Sequence, residues 1–181
     1  ENDIDGVIDH SVVVGSRNIA NKNNAESKLN QNVLIGDLNT ITNSEQSVII
    51  GSDIVASNSK GGIAIGGDDA DLLPGYPKTE IQGKGAIAIG VGAKAKADAA
   101  MSLGVNSQTI VAQGVALGFN SVANTDKGVV GLEFDTATNT LKTSSKSDKT
   151  WKSTAAALSI GSDTITRQIT NVAAGSADTD A

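Results

Sequence analysis

The chain has no cysteine, one histidine, and aromatic residues at only 2% of its length. Without thiols, and with a single imidazole that precedes the first patterned segment, most nucleophilic and transition-metal chemistry is excluded. His10 reads as a surface residue rather than a base. A conventional core in 181 residues would use more Phe, Trp and Leu than this composition supplies. No apolar run approaches the length of a membrane-spanning helix, and no secretory leader precedes the patterned region. Cationic excess is missing too: the formal charge is −6, which disfavours nucleic acid and anionic membrane as partners. The lack of cysteine fits a cell-surface protein without disulfides as well as a cytosolic one. Both ends read as cuts within a longer protein, with Glu1 in place of a starting Met and Ala181 falling inside a pattern.

What the chain does have is glycine, 20 residues of it, and much of it is periodic. Ile87-Ala88-Ile89-Gly90, Met101-Ser102-Leu103-Gly104 and Val115-Ala116-Leu117-Gly118 repeat one unit at 14-residue spacing. The unit recurs upstream, ending at Gly15, Gly36, Gly51 and Gly66, and once downstream as Leu158-Ser159-Ile160-Gly161. In all eight copies the residues one and three before the glycine are Ile, Val, Leu or Met. Period-two alternation signals strands. Recurrence at a short fixed interval signals a solenoid.

A lap of 14 or 15 residues holds two short strands and two tight turns. The residue five after six of the eight glycines (Ala20, Ile41, Ala56, Ala95, Thr109 or Ala123) marks the second strand. The large residues flanking the middle of each unit are expected to face the interior, so that Ile87→Asp or Leu117→Asp would bury a charge. The middle residue is then expected to point outward. Val13, Leu34 and Ile49 would form an apolar outer face suited to a subunit interface, with a mildly apolar surface as the plainer alternative. Strands of successive laps would pair in parallel about 4.8 Å apart, giving an all-β rod roughly 35–40 Å long.

Two segments interrupt the array. Residues 67–84 read as a protruding insertion, in which Leu72, Leu73 and Tyr76 are candidate partner-binding residues or fold back on the rod. Asp68, Asp69 and Asp71 there lack EF-hand spacing, so a solvated acidic loop is expected and no metal site is assigned. In residues 124–157, Val129–Asp135 and Thr140–Thr143 alternate like hairpin strands around a turn at Asp135–Asn139. Trp151 reads as an anchor at a joint rather than a ligand-stacking ring. From 158 to 181 the chain passes from the last coil into a connector. Ile165, Ile169 and Val172 have the i, i+4, i+7 spacing of a helix and are candidate subunit contacts.

The coils, together with Leu158-Ser159-Ile160-Gly161 and the run Arg167-Gln168-Ile169-Thr170-Asn171-Val172-Ala173-Ala174-Gly175-Ser176-Ala177-Asp178-Thr179-Asp180-Ala181, resemble the head and neck of YadA-like trimeric autotransporter adhesins. The resemblance implies a left-handed parallel β-roll head (1–123) in a homotrimer and a neck leading to a coiled coil. It also implies anchoring in a bacterial outer membrane through a region beyond this chain. By the same resemblance the head would be non-enzymatic and cofactor-free, and would attach to host extracellular-matrix protein, cells or other bacteria. Collagen binding in that family goes with an Asn-Ser-Val-Ala-Ile-Gly coil. The nearest forms here are Gln46-Ser47-Val48-Ile49-Ile50-Gly51 and His10-Ser11-Val12-Val13-Val14-Gly15, so the ligand stays open. The alternative class is a phage-fibre or carbohydrate-active parallel β-solenoid, against which stands the absence of paired carboxylates recurring on one face. Ice binding would need a Thr ladder that Thr109 and Thr125 do not make.

Overall fold

The computed structural model describes residues 1–4, 10–21, 30–67 and 77–176. The N-terminal coils contribute β1 (Asp3–Ile4), β2 (Val12–Ser16), β3 (Ile19–Asn21), β4 (Val33–Asp37), β5 (Thr40–Thr42), β6 (Val48–Ser52), β7 (Val55–Ser57) and β8 (Ile63–Gly67). Next come β9 (Glu80–Ile81), β10 (Ile87–Ile89), β11 (Lys94–Ala95), β12 (Met101–Leu103), β13 (Gln108–Thr109), β14 (Val115–Leu117) and β15 (Val122–Ala123). A hairpin, β16 (Leu132–Asp135) and β17 (Thr140–Thr143), and the terminal β18 (Leu158–Ser159) complete the order. No helix occurs among the described residues.

Even-numbered strands from β2 to β14, followed by β18, form one parallel sheet. Odd-numbered strands from β1 to β15 form the other. Each lap thus gives one strand to each wall, the topology of a parallel β-solenoid. The register follows the repeat: Leu34, Ile49, Ala64, Ala88, Ser102 and Ala116 align along the even wall. Ala20, Ile41, Ala56, Ile81, Ala95, Thr109 and Ala123 align along the odd one.

These two columns are the centre of the core, which the buried corner residues Ile54, Ala86, Ala93 and Ala100 complete. All of these are at most 4% exposed, and Val13, at the head of the even column, is half-buried against them. The residues five after the glycine therefore face inward, as their spacing predicts. The even wall is the reverse of the sequence expectation. Its middle residues Leu34 and Ile49 are inside, whereas Ile35, Ile50, Ile65, Ile89 and Leu117 are 37–46% exposed on the outer surface. The reason is lap length. With corners of a few residues the walls lie close together, and each lap encloses one side chain per wall. Small meets small in the 14-residue laps: Ala88 with Ala95, Ala116 with Ala123, and Ser102 donating to Thr109 Oγ1 at 2.9 Å. The flanking Ile, Val and Leu are too many and too large for that space, so the pleat turns them out.

Corners are held by polar columns. Asn39 donates to Gly51 O at 2.8 Å and to Asn18 Oδ1 at 3.0 Å, and accepts from Ile54 N at 3.0 Å. Asn18 repeats the pattern on Gly36 O at 2.8 Å. Thr79 continues the column through Gly90 O and Gly67. Its carbonyl accepts from Val55 just as that of Ile54 accepts from Thr40. The surplus of the first insertion therefore lies before Thr79, while residues 79–84 already belong to the coil. Asn39 and Ser59 make a contrasting pair. Asn39→Ala strands the buried Ile54 amide and the part-buried Gly51 carbonyl at once and should cost about 2–4 kcal/mol. Ser59 Oγ is buried with no hydrogen-bond partner, so Ser59→Ala should be neutral or raise stability by up to about 1 kcal/mol. Paired urea titrations check both.

The second insertion forms the expected hairpin. Phe134 stands opposite Leu141 and Glu133 opposite Lys142. The Ala157 amide closes its base on Thr125 O at 3.0 Å. Trp151 sits half-buried at this base, its carbonyl accepting from Gly131 N at 2.7 Å and Lys146 lying 4.2 Å over its ring. The helical spacing at Ile165, Ile169 and Val172 is not realised. Ser162 and Ile165 close a turn, 166–176 are irregular, and Ile169 and Val172 are 68% and 56% exposed. A single amphipathic turn or two has no apolar partner to offset the cost of helix nucleation.

Candidate functional site

The outer surface of the even wall is the most distinctive feature of the rod. Because the lap length holds register, one row runs Val12, Val33, Val48, Ile63, Ile87, Met101, Val115 and Leu158. A second runs Val14, Ile35, Ile50, Ile65, Ile89, Leu103 and Leu117. No charged or polar residue interrupts either row. Eight strands at the usual spacing make the stripe roughly 34 Å long, a contiguous apolar surface of the kind that marks a contact site.

The opposite outer surface, on the odd wall, is mixed and mostly polar. Thr40, Val55, Glu80, Lys94 and Gln108 form one row; Thr42, Ser57, Gln82, Lys96 and Ile110 follow the other. Lys96 pairs with Glu80 across two laps at 3.3 Å. The rod therefore has one greasy face and one wet face, and sequence alternation alone produces both.

Ion pairs between neighbouring laps line the corners: Arg17 with Asp37, Lys60 with Glu45, and Lys78 with Asp53. The hydrogen bond from Arg17, helped by the Ser16 hydroxyl, holds the Asp37 carboxyl below its ordinary range. Whatever that exposed pair adds is present at neutral pH and lost as pH falls through the lowered value. At the hairpin, Lys142 and the Ala137 amide act in the same direction on Asp135. Glu133 binds Ser144, Lys142 and Lys146 on one hairpin face. Leu132, Phe134 and Leu141 are left 57–65% exposed on the other.

Among the interface residues expected from sequence, Leu34 and Ile49 are at most 1% exposed inside their own coil and cannot touch a second chain there. Val13 packs on the same core. The surface they were expected to form exists, built instead by the flanking residues. Ile165 is half-buried at the turn that follows the last coil, with Ile169 and Val172 exposed beyond it. Leu72, Leu73 and Tyr76, like Asp68, Asp69 and Asp71, lie outside the described residues. Among the described residues no group of three or more His, Asp and Glu side chains could hold a metal ion. His10 is an exposed corner residue with φ 53°. The apolar rows could have been found from sequence by asking which columns are small. Ala88, Ser102 and Ala116 match Ala95, Thr109 and Ala123, and small columns belong where two walls meet.

No protein-family model matches the chain, and no curated protein matches it significantly.

Proposed function

We propose that this chain is the head and neck of a trimeric surface adhesin, in which three rods pack their even walls together and turn their odd walls outward. The single observation that carries the reading is the unbroken apolar ladder from β2 to β18, opposite a wall that is mostly polar. A second copy is its natural cover, since every lap presents the same two apolar side chains at the same spacing and two such ladders match along their whole length. In this assembly the coils wind as a left-handed β-roll. The segment after Ile165 hands over to a coiled coil, where Ile169 and Val172 find in the other two chains the apolar partner that one chain lacks. The three polar walls form the exposed surface. The protein acts without catalysis, at a bacterial surface, on a host matrix protein or cell receptor. Threefold repetition converts weak individual sites into firm attachment.

An array of immobilised matrix proteins tests the reading. The chain is expected to bind at least one of them, and deletion of residues 68–76 shows whether that segment contributes. Failure to bind any matrix protein or cell, together with turnover of a polysaccharide, would replace the adhesin by a carbohydrate-active solenoid.

A further inference from the structure

The last coil ends in a way the others do not. At Gly15, Gly36 and Gly51 the position a Cβ would occupy lies 1.7–1.9 Å from the carbonyl oxygen of the next repeat glycine, and at Gly90 and Gly104 it lies 2.7 Å away. The repeat glycines are thus a column of peptides stacked at van der Waals limit. After Gly118 the register offers Gly161 as the next glycine, but Gly161 is not among the atoms nearest that point. The guanidinium of Arg167 takes its place, with Cζ and Nε 3.2 and 3.3 Å from the corresponding point.

The same guanidinium is held by the end of the stack. One terminal nitrogen donates to the Ser121 hydroxyl at 3.2 Å and to the Ile160 carbonyl. The other donates to the Phe119 carbonyl at 2.6 Å. Ser121 and Phe119 are 46 and 48 residues earlier in the chain. They belong to the last full lap, whereas Ile160 lies on the segment that leaves it. A planar fork of donors suits this task, and the bonds are charge-assisted.

We propose that Arg167 is the end plug of the coil stack: its guanidinium supplies the missing step after Gly118, satisfies carbonyls an open end would leave to solvent, and straps the connector onto the head. An unplugged parallel stack presents a free edge on which another chain can add. The plug closes the glycine corner of that end, beside β18, and fixes the direction in which residues 168–176 depart. It depends neither on adhesion nor on the number of chains.

Amide hydrogen exchange on the whole chain tests it. Arg167→Ala should raise exchange about tenfold or more across Val115–Ala123 and Leu158–Gly161 while Val33–Ser52 stays protected, because local opening is confined to the end of a one-dimensional stack. Millimolar methylguanidinium should restore protection in this variant and methylammonium should not. Should Arg167→Ala loosen the entire rod, Arg167→Lys decides: it keeps the charge but not the fork, and is expected to lose protection in the last lap alone. Wild-type exchange of Val115–Ala123 in either variant, or equal rescue by methylammonium, overturns the proposal.

Discussion

Gly51→Ala should lower stability by about 4 kcal/mol, enough to unfold the rod well below the melting temperature of the native chain. The residue sits mid-stack at φ 142°, and an added methyl carbon would lie 1.9 Å from Gly66 O and 3.1 Å from the Ile54 side chain. Neither neighbour can retreat. The carbonyl belongs to β8, held by its pairing with β6, and Ile54 is fully buried. Relief requires spreading two laps, which breaks the parallel hydrogen bonds of β6 with β8 and uncouples the N-terminal coils from the rest of the stack. Gly61→Ala separates this steric cost from the backbone cost. Gly61 also has a positive φ, 69°, but nothing lies within 4 Å of its Cβ position, so that variant should lose only about 1 kcal/mol. Thermal melts of the two variants side by side check the difference. Similar losses at both positions would mean that the glycine column is not a close-packed stack.

The second large effect comes from moving one charge by one residue. Ile49 is fully buried, and Ile50, its neighbour, is 37% exposed on the outer even wall. Ile49→Asp places an unpaired carboxylate between the two walls and should cost several kcal/mol, leaving no folded protein at ambient temperature. Ile50→Asp keeps the coil, since the new carboxylate reaches water, and costs a single chain less than about 1 kcal/mol. Its penalty is expected only in the proposed assembly, where it would interrupt the apolar ladder. Circular dichroism should therefore report a lost fold for the first and a retained one for the second. The sequence pattern alone predicts the opposite, with the residue before each glycine as the intolerant one, so these two variants separate the readings cleanly.

How much of this was legible in the sequence depends on which physical constraint left a mark. Lap length, the strand beginning at each unit and the second strand around Ala95, Thr109 and Ala123 were legible, because a repeat writes the same constraint eight times. The hairpin at 129–143 was legible from alternation. The facing of the even wall was not, because alternation fixes which residues share a side but not which side is inside. Bulk suggested Ile87 and Leu117 for the interior, whereas the perimeter of a 14-residue lap admits only Ala88 and Ala116. Place in the lap misled at Thr79 as well. Its column continues Asn18 and Asn39, yet the surplus of the first insertion hides the spacing. The helical expectation at Ile165–Val172 failed for a different reason, since i, i+4, i+7 spacing states what a segment would bury if a partner were present and supplies none. Arg167 left no periodic signal. It is a single residue acting across 46 to 48 positions, and only the folded chain brings it to the end of the stack.

The mass of the chain in solution tests the central claim, that the apolar even wall is where copies meet. Light scattering of the wild type at micromolar concentration is expected to give three times the 18.2 kDa chain mass, and the double variant Ile50→Asp with Ile65→Asp to give one chain with its strand content intact. A wild-type mass of a single chain, or a trimer unmoved by two carboxylates on the ladder, would contradict it.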